Sequence, residues 1–424
     1  MNKQKKLNIL VTGLCLQGNK GGPAIALSLM QLLNKHLNAD YCFVVPSTYI
    51  AEEQQWGAKY GVSVVPTIGP KDMMPPYCWK TARRFRSALA LKALEEADVL
   101  IDSSGISFIG PPAGRSVNAI LNHQWSILAG YYHKPVFRWT QSYGPFSTRF
   151  VRLMARREFS KAPFLMARGY ISRERLEKLG VKCSVYDFPD VAFCLPAASA
   201  DWAATYLHKE LAVPVGRQLL GLSPSAVLRN YPGNGGGTGE AHIEFCALLI
   251  EEMLKPGWDC LLIPHTIRVT GPASQCDLDV ALKIRAKLSS PYQERVRVVY
   301  DDLDCRKLKS LIGKMDFFIG ARYHSLIAAL SKKVPSLAIA WHEKYAELFY
   351  YFALDEAVLD ARGDISLSEM VDRARDLFEN RAIVKAKIDD KLSSVIQAVE
   401  ASGRLLAEAI LDALSSPYGK KDES

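Results

Sequence analysis

The feature that most constrains this chain is a rhythm. Short apolar runs alternate with amphipathic stretches of helical period, and the alternation stops once and then restarts. In the first stretch Leu7–Gly13, Tyr41–Val45, Asp98–Asp102, Pro135–Gln141, Phe164–Arg168 and Cys183–Phe188 read as strands. Helices are expected from Pro23 to about Leu37, around Thr81–Ala97, near Val117–Tyr131, and over Thr148–Ser160 and Ser172–Leu179. Pro23 suits a first helical turn because its missing N–H has no intrahelical partner there. Strand and helix repeated in this order predict a parallel sheet covered on both faces.

The rhythm breaks at Pro189–Gly216, a proline- and alanine-rich stretch. It resumes with Leu219–Leu222, a Gly-rich loop over Asn234–Gly239, a helix at Ala241–Leu254, and strands at Cys260–Pro264, Arg295–Val299, Asp316–Gly320 and Ser336–Trp341. Ser366–Leu414 is helical in pattern. The fold class expected is α/β, with two Rossmann-like parallel-sheet domains facing a cleft. They cover residues 1–195 (the acceptor side) and 217–365 (the donor side), and helices over 366–424 pack back on the first. A length of 424 residues suits two domains.

Composition narrows the functional classes. With 49% hydrophobic and 23% charged residues, whole-chain disorder and coiled coil are excluded. A net charge of +9 suits an anionic substrate or an anionic membrane surface and is too small to argue for nucleic acid. The nine cysteines form no C-x-x-C pair, so they read as buried free thiols of a reducing compartment, with no zinc ligand set. Met1–Leu16 is basic and then apolar like a signal peptide, but no small-x-small cleavage site follows. We read it as the first strand of a cytoplasmic protein. No apolar run approaches the ~20 residues that span a bilayer.

Ligands of open parallel sheets bind beyond the carboxyl ends of the strands. The most informative such place is DFFIGARYHSLIAALSKKVPSLAIAWHEKY, residues 316–345. Arg322 and His324 follow a strand end and open a helix, where unpaired N–H groups and two cationic or donor side chains make an anion site. Lys344 follows the next strand and can add a point charge; His342 is a weaker candidate. Gly18, Asn19, Gly21 and Gly22 form a loop that is neither a dinucleotide nor a P-loop fingerprint. Ser103, Ser104 and Gly105 make a similar small-residue lip. Arg168 ends a strand and is a candidate anion ligand. Asp190 reads as a turn cap. His265, Ser223 and Ser225 are strand-end candidates in the second half. The basic stretches Lys80–Arg86 and Arg149–Arg157 read as solvated helix faces, although Phe150, Leu153 and Met154 leave contact with an anionic bilayer open.

Four segments together carry a resemblance. They are the strand followed by Asn19–Gly21, QSYGPF at 141–146, the stretch Arg168–Phe193 ending PDVAF, and GARYHSLIAALSKKVP…KY. In order and spacing, over roughly residues 7–350, they resemble the polysaccharide pyruvyl transferases. The resemblance implies a fold similar to GT-B glycosyltransferases, and transfer of pyruvate from phosphoenolpyruvate to two hydroxyls of a sugar as a cyclic ketal. It implies catalytic roles for His324 and Arg322. It implies donor binding by Arg168, Arg322 and His324, with the Tyr323 backbone nearby and Lys344 a weaker match; Asn19 and Gly21 of the loop and Ser104 of the strand-end lip are further substrate-binding candidates. It implies no metal and no cofactor beyond phosphoenolpyruvate as co-substrate. Expected partners are phosphoenolpyruvate and the sugar of a polysaccharide or lipid-linked oligosaccharide, with peripheral contact at the inner face of the membrane and no nucleic acid. Gly22 and Pro23 stand where the family loop usually carries acidic or small residues, and Gly169 follows Arg168 where an acid is common. Two other readings stay open. One is a nucleotide-sugar glycosyltransferase with Glu343 or Glu347 as a ribose clamp. The other is a non-catalytic polysaccharide- or anion-binding protein.

Overall fold

Every strand of the two main sheets runs parallel to its neighbours, as apolar runs joined by helical crossovers require. The computed structural model describes residues 6–68, 86–108, 123–229, 240–268, 276–362 and 366–415. Two units are distinguished: residues 1–17, 25–191 and 398–424 form the first, and residues 18–24 and 192–397 the second.

The sheet of the first unit contains β1 (Leu7–Thr12), β2 (Tyr41–Ser47), β3 (Val62–Pro66), β4 (Val99–Asp102) and β5 (Val136–Arg138), in the order β3-β2-β1-β4-β5. Leu10 in the central strand pairs in register with Val44 on one side and Leu100 on the other. The helices α1 (Gly21–His36) and α2 (Ile50–Tyr60) follow β1 and β2. A separate parallel pair, β6 (Phe164–Ala167) with β7 (Ser184–Asp187), follows helix α3 (Arg149–Phe159). Thr148 caps α3 by accepting the Val151 N–H at 3.1 Å. Val151, Ala155 and Phe159 of α3 are buried, whereas Phe150 and Leu153 are exposed beside Arg149, Arg152 and Arg156.

In the second unit β8 (Gln218–Ser223), β9 (Trp258–Leu262), β10 (Val296–Val298), β11 (Phe317–Gly320), β12 (Ser336–Ala340) and β13 (Val358–Asp360) form one sheet, ordered β10-β9-β8-β11-β12-β13. Its helices include α4 (Asp277–Lys287), α5 (Tyr323–Ser331) and α6 (Lys344–Tyr350).

The edge strands β3 and β13 are additions to the sequence reading. Both are short and partly exposed, so they lack the continuous apolar run that marks the central strands. The proline-rich stretch holds short helical turns over 191–194 and 200–210. The helix expected over Thr81–Ala97 is observed as Arg86–Glu96, and that over 117–131 as Gln124–Tyr131. Residues 80–85, 117–122 and 234–239, parts of three expected features, lie outside the described residues. The last helix runs from Arg381 to Ser415, and its residues from Ala398 onward group with the first unit. There Glu400 takes Lys35 and His36 at 2.9 Å each. Among the described residues no helix is long and apolar enough to cross a membrane.

Candidate active site

The second unit gathers its polar side chains where β8, β9 and β11 end. Gly320 and Ala321 close β11, Arg322 is extended (φ −112°, ψ 127°), and α5 starts at Tyr323. The N–H groups of that first turn have no intrahelical acceptor, and the helix dipole leaves them electropositive. Tyr345 fixes the turn: its hydroxyl donates to the Ala321 carbonyl at 2.8 Å, and its ring packs edge-on against Tyr323. The KY pair of the sequence motif therefore divides. Tyr345 is structural, and the Lys344 ammonium lies over the Trp341 ring at 4.5 Å and the Tyr323 ring at 5.2 Å.

Arg322 is held by a residue the sequence reading missed. Its Nε and Nη2 donate to the fully buried carboxylate of Asp277, at 2.9 and 2.5 Å. Asp277 also accepts the Ala226 N–H at 2.9 Å and the Thr266 N–H at 2.8 Å. One carboxylate thus ties the segments after β8, β9 and β11 together. No local motif announces it; only the sheet order brings these ends side by side.

Residues 18–24, the end of the loop after β1 and the first turn of α1, belong to the same unit. Asn19 bridges to Thr266, the Lys20 N–H donates to the His265 carbonyl at 3.2 Å, and the Gly21 N–H donates to the Asn19 side chain at 3.0 Å. Gly21 and His324, both singled out in the sequence, meet here. A Cβ on Gly21 would lie 2.3 Å from Nδ1 of His324, so any side chain there would have to displace the ring. Lys20, also missed, is nearly buried and pairs with Asp302 at 2.5 Å. It stands directly before α1, without the strand-end position that drew attention to Arg322 and Arg168.

His265, His324, Lys309 and Cys305 line a cavity of about 10 Å³, which has room for about one water. Burial holds the His265 pKa well below the ordinary histidine value, and His324, Arg322 and Lys20 add to that. Burial lowers the Lys309 pKa to about 8; its ammonium donates to the Phe193 carbonyl at 3.0 Å. Burial and then Arg322 bring His242 down to about 4, while its Nε2 accepts the Ser225 N–H at 3.4 Å. The strand-end candidate Ser223 is fully buried. Of the proposed ribose clamps, Glu347 is buried.

Arg168 and Ser104 belong to the first unit. Arg168 is 2% exposed. Its guanidinium donates to Asp190 at 2.6 Å, to Ser142 Oγ at 3.3 Å and to the Gly105 carbonyl. This is a buried ion pair that braces the end of β6, and the geometry offers a donor no exposed face of Arg168. Asp190 is the partner of Arg168 and stands directly before the helical turn over 191–194. Gly169 has φ 119°, which accounts for a glycine where an acid was expected, since L side chains rarely adopt that region. Ser104 donates to Asp102 at 2.6 Å and packs against Gly13.

Comparison with known proteins follows this geometry. The family model described as polysaccharide pyruvyl transferase matches residues 19–343. The amylovoran biosynthesis protein AmsJ of Erwinia amylovora is 23% identical over 293 residues, covering 68% of this chain and 67% of that protein. Among solved structures, Anabaena HepE in complex with UDP and glucose superposes with a TM-score of 0.59 at 12% identity, covering 96% of this chain and all of that one. UDP-GlcNAc 2-epimerase from Neisseria meningitidis, bound to UDP-GlcNAc, gives 0.58 at 10% identity with the same coverage. At such identities the likeness is one of fold: an α/β, GT-B-like chain with a parallel sheet in each of two domains.

Proposed function

The chain belongs to the polysaccharide pyruvyl transferase family, and from that premise we propose that it moves the pyruvyl group of phosphoenolpyruvate onto two hydroxyls of a sugar in exopolysaccharide synthesis. The observation that carries the reading is the second unit's helix N-terminus, with Arg322, His324 and the Lys20–Gly21 loop around it. An anion of about three charges suits oriented N–H groups beside cations. Arg322 and Lys20 each already face a carboxylate, so the local field is less positive than three bare cations would make it. The first-turn N–H groups and His324 then supply most of the recognition. The donor needs more room than the small internal cavity beside His265 and His324 offers, so it meets these groups from their solvent side.

Ketal formation needs a proton on the vinyl carbon, attack of one hydroxyl at C2, departure of phosphate, and attack of the second hydroxyl at the same carbon. Two hydroxyl protons are lost; one is balanced at the new methyl group and one leaves with phosphate. A histidine can carry such a proton near neutrality. We assign His324 to the departing phosphate and Arg322 to orienting the donor. A thermal-shift panel tests the reading. Phosphoenolpyruvate should raise Tm, and phosphate should be released only when a sugar acceptor is added. Stabilisation by UDP and not by phosphoenolpyruvate would replace this reading with nucleotide-sugar transfer.

We also propose that α3 rests on anionic lipid, since exposed Phe150 and Leu153 sit among exposed arginines. Co-sedimentation with phosphatidylglycerol vesicles, and not with phosphatidylcholine vesicles, is expected. Equal recovery with both would remove the proposal.

A further inference from the structure

We infer that a pocket of the first unit, at the C-terminal ends of β1 and β2, binds a hydroxyl-bearing sugar ring through the carboxylate of Glu53. The inference rests on the pyruvyl transfer reading only in taking that sugar to be the acceptor. The pocket itself is argued from its own atoms.

It has a volume of about 190 Å³ and is lined by Ser47, Thr48, Tyr49, Glu53, Gln124 and Trp125, among others. That is an order of magnitude more than one water needs. Glu53 lies in the first turn of α2 and is 1% exposed. Its Oε1 accepts the Leu16 N–H at 2.7 Å and the Gln17 N–H at 3.1 Å, which fixes the carboxylate. Its Oε2 is buried and accepts no hydrogen bond. Gln124 repeats the pattern: its amide nitrogen donates to the Ile68 carbonyl at 2.8 Å, and its Oε1 is buried with no donor.

A buried acceptor without a donor costs free energy, most of all on a carboxylate. Two residues that line one pocket each carry such an acceptor, which calls for a ligand rich in donors. Hydroxyl groups meet that need, and the rings of Tyr49 and Trp125 offer an apolar surface for the C–H face of a pyranose. The carboxylate repels phosphate, which sets this pocket apart from the anion-binding helix start of the second unit.

Saturation-transfer NMR on the full chain tests the inference, with methyl β-galactopyranoside, methyl α-glucopyranoside and methyl α-mannopyranoside as probes and methylammonium as control. At least one glycoside should give ring-proton transfer. Glu53→Gln should weaken its binding at least about tenfold, the scale of one charged hydrogen bond, while the rise in Tm with phosphoenolpyruvate stays unchanged. Gln124→Met, away from the Leu16 and Gln17 contacts, supplies the same test should Glu53→Gln fold poorly. No transfer to any glycoside, transfer that neither variant weakens, or binding of methylammonium alone would overturn the proposal. Phosphoenolpyruvate stabilisation without glycoside binding sinks this inference and leaves the pyruvyl donor reading standing; glycoside binding without phosphoenolpyruvate stabilisation does the reverse.

Discussion

Gly21 and His324, 303 positions apart in the chain, share one space: a Cβ added to Gly21 would fall 2.3 Å from Nδ1 of the His324 ring. The glycine loop and the R-x-H segment thus form one element of the candidate site. Gly21→Ala should push the ring aside and cut kcat/KM nearly as far as His324→Ala does. Because both changes act on the same ring, the double variant should be no worse than His324→Ala alone. Multiplicative losses would show that the two residues act independently.

His324 itself is expected to matter for turnover more than for stability. His324→Ala should lower kcat/KM by roughly 10²–10⁴-fold, the range for a positioned acid or base. His324→Gln should restore part of the phosphoenolpyruvate affinity and little of the rate. Loss of several degrees in Tm with a near-normal rate per folded molecule would make the residue a packing histidine instead.

Asp277 holds Arg322 and two backbone N–H groups at once. Asp277→Ala should destabilise the chain by about 3 kcal/mol, the lower end for breaking a buried pair, since Arg322 keeps some exposure. Asp277→Asn keeps an acceptor and should cost less. Urea unfolding of both variants measures the difference, and an unchanged alanine midpoint would mean that Arg322 and the N–H groups find other partners.

Arg168 gives a contrasting expectation. Arg168→Lys keeps the charge but cannot reach Asp190, Ser142 and Gly105 together, so stability should fall by about 2 kcal/mol. The KM for phosphoenolpyruvate, per folded molecule, should stay within about twofold. A raised KM with an unchanged melting curve would return Arg168 to the donor site.

Acid should destabilise the chain through its buried histidines. Burial lowers His123 and His242 from about 6.5 to about 4 and His265 well below its ordinary value. Between those values the unfolded chain binds more protons than the folded one. The stability is therefore complete above pH 6.5 and declines as pH falls toward 4, by up to about 1.4 kcal/mol per pH unit for each histidine. His242→Gln should flatten the decline. A decline of the same steepness in this variant would assign the acid sensitivity to carboxylates.

The sequence by itself determined the alternation of central strands and helices, because buried parallel strands need continuous apolar runs and their crossovers need a helical period. It also picked out Arg322 and His324, since a cation and an imidazole at a strand end and helix start are chemically conspicuous within a few residues. Of the edge strands, β3 is interrupted by Ser63 and partly exposed and β13 is only three residues long, so neither left such a mark. Tertiary structure alone decided what each conspicuous group faces. Arg168 and Arg322 look alike as strand-end arginines, yet one keeps 2% of its side chain exposed against Asp190 and the other 11% against Asp277 at a helix start. Lys20, Asp277 and Glu53 gain their roles from partners tens to hundreds of residues away. Such partners are chosen by strand order and register, which local periodicity does not encode.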